Sequence, residues 1–184
     1  MIFRTIPLAG ACVVELDPHA DERGLFARSF CEREFAAHGL ATRYPQANVS
    51  WNRKSHTLRG LHWQAAPRAE AKLVRCTAGA IHDVIVDLRR GSPTCLRSFA
   101  IELSARNRLA LYVPEGFAHG FLTLAEGSEV SYWMSAPHAP EAARGLRFDD
   151  ARLAIDWPAR PSVISERDLG LPGFDESLLY EAPA

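Results

Sequence analysis

Two histidines stand where proton transfer is chemically plausible. His62 lies in Arg59-Gly60-Leu61-His62-Trp63-Gln64, with Lys72 following. An Arg, a His and a Lys set into apolar strand sequence are costly to bury without partners. Singly, each reads as well as a solvated side chain at a barrel mouth; as a cluster they point to a site. His119 lies in Pro114-Glu115-Gly116-Phe117-Ala118-His119-Gly120-Phe121, where small neighbours let a ligand come close. One such His is ordinarily a core residue, but two in one barrel suggest a shared cavity.

Three further segments could complete the chemistry. Tyr132, in Glu129–Met134, has a phenol able to donate a proton to a carbanion, although a lone Tyr is as readily core or interface. Ser165-Glu166-Arg167-Asp168 offers a carboxylate that could orient a His and stabilise its cation; by itself it is an ordinary charged turn. Asp21–Phe26 sets Arg23 beside an aromatic, and Gln46-Ala47-Asn48-Val49-Ser50 supplies two amides. For a metal, His62, Glu70 and His119 make only a weak ligand set. The second His of a His-x-His pair is missing, because Trp63 and Gln64 follow His62.

These residues need a scaffold, and strand signals dominate the chain. Short runs rich in Val, Ile, Leu and aromatics cover Ala11–Leu16, Thr57–Trp63, Ala71–Thr77, Ala80–Leu88, Ser98–Leu103, Leu109–Val113, Gly120–Leu124 and Glu129–Met134. Turn residues separate them. Ala80–Leu88 carries apolar residues on both sides of its alternation, as a strand covered on both faces does. Helix signals are confined to Cys31–His38, stopped by Gly39, and to Asp175–Tyr180. The pattern predicts an all-β, jelly-roll barrel with a few short peripheral helices. A length of 184 residues fits one domain, with the Pro-richer segment from about 140 to 184 wrapping the barrel.

Composition narrows the function classes. A net charge of −1, with Arg spread among Asp and Glu, argues against nucleic-acid binding as the main task. The longest stretch free of Asp, Glu, Lys and Arg is Val130–Pro140, too short for a membrane helix, which needs about 20 residues. The N-terminal MIFRTIPLAGAC is too short in its apolar part for a signal peptide and reads as the start of a cytoplasmic protein. The four cysteines show no CxxC spacing and are expected to be buried, reduced thiols. Arg outnumbers Lys nineteen to two, and Lys72 is one of the two.

Taken in order, the segments resemble the dTDP-4-dehydrorhamnose 3,5-epimerase family. The resemblance rests on Asp21-x-Arg23-Gly24-x-Phe26, Gln46-x-Asn48-x-Ser50, Arg59-Gly60-Leu61-His62-x-Gln64 and Lys72-Leu73-Val74. It continues through Asp83-Val84-x-Val86-Asp87-Leu88-Arg89, Gly91-Ser92-Pro93-Thr94, Pro114-x-Gly116-Phe117-Ala118-His119-Gly120-Phe121, Tyr132, Trp157-Pro158 and Ser165-x-x-Asp168. It implies a cupin-type jelly roll, a homodimer, no metal or organic cofactor, and a small-molecule nucleotide-diphosphate 4-keto-6-deoxy sugar as substrate. By family position His62 is the base, held and charged by Asp168. Lys72 stabilises the enolate oxygen, and Tyr132 returns a proton to the opposite face. Arg59, His119, Gln46 and Asn48, with Ala47 between the amides, match positions that hold sugar and diphosphate. Arg23 and Phe26 match nucleotide contacts that reach across the dimer.

Four positions depart from the family pattern: Arg28 stands where Glu is usual, His138 for Tyr, Ala143 for Glu and Arg167 for Lys. Arg28 reverses a charge at a nucleotide-contacting position, so it, His138 and Arg167 are counted among the substrate-binding residues. These departures keep open a C3-only epimerase on a variant nucleotide sugar. Outside the class stands a metal-dependent or sugar-binding cupin without epimerase activity.

Overall fold

The computed structural model describes residues 1–181; residues 182–184, the end of the segment expected to wrap the barrel, lie outside the described residues. Thirteen strands occur in chain order among the described residues. They are β1 (Ile2–Thr5), β2 (Cys12–Glu15), β3 (His19–Asp21), β4 (Gly24–Phe26), β5 (Gln46–Asn52), β6 (Leu58–Gln64), β7 (Lys72–Ala78), β8 (Ala80–Asp87), β9 (Ser98–Ser104), β10 (Ala110–Val113), β11 (Phe117–Thr123), β12 (Ser128–Met134) and β13 (Ala143–Gly145). Two short helices join them, α1 (Glu32–Ala37) and α2 (Glu166–Leu169). The all-β expectation is met, and every strand foreseen is present.

The strands form two facing antiparallel sheets. One runs β1-β2-β10-β7-β12-β5, the other β13-β6-β11-β8-β9, and β3-β4 is a separate hairpin. This is a jelly roll: from β5 to β13 the chain alternates between the two sheets except at the β8–β9 hairpin, so each apolar face meets the other. Between the sheets lie Val13, Val74, Ile81, Ile85, Leu103, Leu111, Phe117, Phe121 and Val130, all buried. The outer face of the smaller sheet is also apolar. Leu61, Trp63, Val86 and Leu88 pack there beneath Leu146, Leu153, Trp157, Phe174 and Tyr180 of the C-terminal segment. This is why β8 is apolar on both sides. The outer face of the larger sheet carries Cys12, Val14, Leu73, Ala110 and Tyr112 under Phe35 of α1.

Several expectations need correcting. β1, β3, β4, β5 and β13 were not foreseen. β5 alternates polar Gln46, Asn48, Ser50 and Asn52 with exposed Val49 and Trp51, so neither side carries an apolar core signal. The charged turn at Ser165–Asp168 is a helix start: the Ser165 hydroxyl accepts from Asp168 N at 3.1 Å. Within Asp175–Tyr180 only a 3₁₀ turn forms, Glu176–Leu178. All four thiols are free, but only Cys12 and Cys76 are buried; Cys31 and Cys95 are half-buried at loop positions.

Two of the family motifs prove structural. The Asp87 carboxylate accepts from Arg89, Ser92 Oγ and Thr94 Oγ1 at 2.6–3.0 Å, tying the loop after β8 to the sheet. The Gln64 side chain accepts from Ala139 N at 2.6 Å and donates to Arg68 O at 2.8 Å, pinning the loop that carries His138.

The decisive contact lies between β6 and β11, where His119 pairs with His62 and the register shifts before Phe121. A Cβ at Gly60 would stand 2.6 Å from Gly120 Cα and 2.8 Å from His119 O, and Gly60 has φ +121. A Cβ at Gly120 would stand 2.8 Å from Arg59 O. Backbone touches backbone here, so only glycine fits on either strand. Gly60→Ala is expected to cost about 3 kcal/mol, roughly 6–12 °C in Tm. Gly127→Ala, which meets open space at φ +67, is expected to cost only about 1 kcal/mol. Calorimetry on both variants tests this, and equal melting temperatures refute it.

Candidate active site

One end of the space between the sheets stays open as a cavity of about 390 Å³. The smaller sheet contributes Arg59 and His62 from β6 and His119 from β11; the larger contributes Lys72 from β7, Tyr132 from β12 and Asn48 and Ser50 from β5. His138 enters from the loop after β12, and Arg167 and Asp168 from α2.

His62 is held from behind. Its Nε2 lies 2.7 Å from Asp168 Oδ1, while Asp168 Oδ2 accepts from Gly60 N at 3.1 Å. Burial pushes the Asp168 carboxyl up, but the His62 and Gly60 hydrogen bonds outweigh it and hold the group below its ordinary value. An ionised carboxylate only accepts, so Nε2 carries the proton and Nδ1 is the basic nitrogen. A second pair mirrors the first, with His119 Nε2 2.8 Å from Asp83 Oδ1, both groups buried.

Lys72 reaches across the cavity floor. Its Nζ donates to His62 O at 3.3 Å and lies 3.2 Å from Glu70 Oε1. Both side chains are about nine-tenths buried, at 11% and 8% exposure, so the carboxylate compensates an ammonium that water reaches poorly. The Tyr132 phenol is pushed far up, first by burial and then by the Asp83 carboxylate, so it stays protonated at neutral pH. Its ring lies 6.0 Å from that of His119, edge to face.

The cavity's two carboxylates and the buried Asp83 behind it are therefore committed: Asp168 to His62, Glu70 to Lys72 and Asp83 to His119. Arg59 donates Nε to the neutral amide of Asn52 at 2.8 Å, and among the described residues neither it nor Arg167 forms an ion pair. Two guanidiniums thus face the cavity uncompensated, a setting suited to a polyanion. His62, Glu70 and His119 all line the cavity, but each is engaged elsewhere. Among the described residues no three His, Cys, Asp or Glu side chains are grouped to hold a metal ion.

The structure brings together nine of the expected residues: Asn48, Arg59, His62, Lys72, His119, Tyr132, His138, Arg167 and Asp168. Gln46 stands just behind them, its Oε1 accepting from His138 N at 2.9 Å and its Nε2 donating to Asn48 at 3.3 Å. Ala47 points away and is exposed. Arg23 and Phe26 sit on the β3–β4 hairpin outside the cavity, Arg23 in an ion pair with Asp21 at 2.6 Å and Phe26 78% exposed. Arg28 also lies outside, donating to Glu34 of α1 at 2.7 Å, where Glu34 also takes the N-terminal amine. Its charge thus has a local partner within the chain. Sequence reasoning did not single out Asp83 as a His partner, Glu70 as the Lys72 counter-ion, or Ser50 as a cavity residue. For Asp83 a signal was present: an acid between Ile81 and Ile85 on a core-facing side needs a buried partner.

Known proteins resemble the chain over nearly its whole length. The family model described as dTDP-4-dehydrorhamnose 3,5-epimerase matches residues 5–176. A relative of that name from Sinorhizobium fredii is 41% identical over 177 residues, 96% of this chain and 91% of its own. Among solved structures, an epimerase of Mycobacterium tuberculosis superposes with a TM-score of 0.92 at 37% identity, covering 98% of this chain and 94% of the other. A dTDP-6-deoxy-D-glucose-3,5-epimerase of Legionella pneumophila, solved in complex with dTDP-4-keto-L-rhamnose, gives 0.90 at 33% identity, covering 100% and 99%. With matching motifs, matching architecture and this coverage, the chain belongs to the dTDP-4-dehydrorhamnose 3,5-epimerase family.

Proposed function

We propose that this chain inverts C3 and C5 of a dTDP-linked 4-keto-6-deoxy sugar by proton transfer through an enolate. The observation that carries the reading is a charged-carboxylate-backed His62 in the smaller sheet, facing a protonated Tyr132 and Lys72 in the larger. A proton beside a ketone is weakly acidic. Its removal needs a placed base and a donor for the oxygen that gains charge. His62 Nδ1 takes the proton, and the cation that results is stabilised by Asp168. The Lys72 ammonium meets the enolate oxygen, a contribution typically worth about 10²–10³ in rate. Tyr132 delivers a proton to the other face, so the centre inverts. Arg59 and Arg167 bind the diphosphate, while His119, Asn48 and His138 hold the sugar.

The chain acts as one domain and as a homodimer. Val49 and Trp51, 64% and 56% exposed on edge strand β5, form an apolar strip beside unpaired backbone. The β3–β4 hairpin, with Arg23 and Phe26 facing away from its own cavity, is suited to cover the nucleotide end of a partner's. Four free thiols fit the reducing cytoplasm, and among the described residues no helix is long and apolar enough to cross a membrane.

Proton NMR in deuterated water with dTDP-4-keto-6-deoxyglucose tests the reaction. Deuterium is expected at C3 and C5; label at C3 alone would make the enzyme a 3-epimerase, and no label would refute the proposal. His62→Asn is expected to abolish exchange, and Asp168→Asn to lower kcat by about 10²–10⁴. The depressed Asp168 carboxyl contributes stability that is full above its unfolded value, about pH 4. That contribution is lost as pH falls through the lower folded value. The Tm of the wild type should therefore exceed that of Asp168→Asn at neutral pH and converge with it on strong acidification; a gap that widens in acid would contradict this sign. Sedimentation should show a dimer that Trp51→Glu dissociates, and a monomeric wild type would count against the proposed assembly.

A further inference from the structure

Proton donation by Tyr132 leaves a phenolate in the cavity. Burial and the Asp83 carboxylate both disfavour that charge. Asp83 Oδ2 is itself buried and makes no hydrogen bond, so its charge is incompletely compensated. Something on the protein must hold the phenolate while it exists.

Most nearby polar groups are engaged. Asn48 Oδ1 accepts from Gln46, Asn52 holds Arg59 and Ser128 O, and Lys72 is fixed between His62 O and Glu70. Ser50 is the exception. It lies on β5 opposite Val130, two pairs along from the Asn48–Tyr132 pair, and it lines the same cavity as Tyr132. Its Oγ is buried and has no hydrogen-bond partner. An unused buried hydroxyl costs free energy that Ala would not. The Arg59 charge and, after it, the closeness of this hydroxyl to the phenol oppose the forces that push the Tyr132 phenol up.

We propose that Ser50 is a positioning residue for the acid step, its hydroxyl turning to donate to the Tyr132 oxygen as the phenol gives up its proton. The enolate's electron pair forms the new C–H bond, the ketone re-forms, and the phenol O–H bond breaks. Its pair stays on the phenolate oxygen. The Ser50 O–H bond does not break; it supplies one charge-assisted hydrogen bond until solvent returns the proton. This inference rests on the epimerase reading, and the two fail differently.

The test compares Ser50→Val with Ser50→Thr, which share a shape and differ in the hydroxyl. In deuterated water with dTDP-4-keto-6-deoxyglucose, deuterium in recovered, uninverted substrate reports removal and return of the proton by His62. Inverted product reports delivery by Tyr132. Ser50→Val should keep exchange within about threefold of wild type while inversion falls about ten- to hundredfold, the scale of one hydrogen bond to a charged group. Ser50→Thr should restore the ratio. Equal slowing of exchange and inversion, or no slowing of either, overturns the proposal. If Val is not tolerated in the fold, Ser50→Ala against Ser50→Thr gives the same readout. A wild type that incorporates no deuterium would instead overturn the epimerase reading.

Discussion

The site depends on one place where two backbones touch. Gly60 and Gly120 bring β6 and β11 closer than any side chain allows, and that approach sets His62 opposite His119. Each imidazole is then fixed from outside the pair: His62 by Asp168 of α2, His119 by Asp83 of β8. Asp168 also accepts from Gly60 N, so the glycine contact and the imidazole's support are joined through one carboxylate. An imidazole held this way needs little reorganisation to take a proton, which is the main advantage a preorganised site has over water.

Charge in the cavity follows from the same economy. Three unpaired carboxylates in and behind the cavity would repel any anionic ligand. Each is instead paired with a group that needs it, a His or the Lys. What remains uncompensated is positive and carried by arginine. Guanidinium stays charged at any working pH and offers paired donors to phosphate. Arginine thus supplies the open positive charge of the cavity, while the single ammonium at Lys72 is held between His62 O and Glu70.

Much of this was legible in the sequence, and the gaps have physical causes. Strands such as β8 and β11 declare themselves because both of their faces are buried, so apolar residues run through them. β5 stays hidden because its inward residues are the polar Gln46, Asn48 and Ser50, and its apolar ones point out. Helix α2 has only four residues, too few for a period to show, although Ser165 with Asp168 three residues on is a capping signature. The catalytic candidates were legible from residue type within motifs. Their pairings do not follow from spacing: Asp83–His119 joins positions 36 apart, and His62–Asp168, 106 apart, was expected only from the family resemblance. Arg28, whose charge reversal set it among the substrate-binding candidates, has a partner that the sequence reading did not name, Glu34 six residues away.

Strand β5 has a property that neither of its faces reveals alone. Asn48, Val49 and Ser50 line the cavity, while Val49 and Trp51 also present large exposed side chains at the surface. It is hydrogen-bonded to only one neighbour, β12, so it is the least restrained wall of the site. A rigid strand cannot shift on one side without shifting on the other. Whatever gripped the outer residues would thereby reduce the freedom of the inner ones before any sugar arrived. Thermodynamic reciprocity then requires the converse: occupancy of the cavity must alter the hold on the outer face by the same factor. An edge strand of seven residues thus ties the wall of the cavity to the outer surface of the molecule.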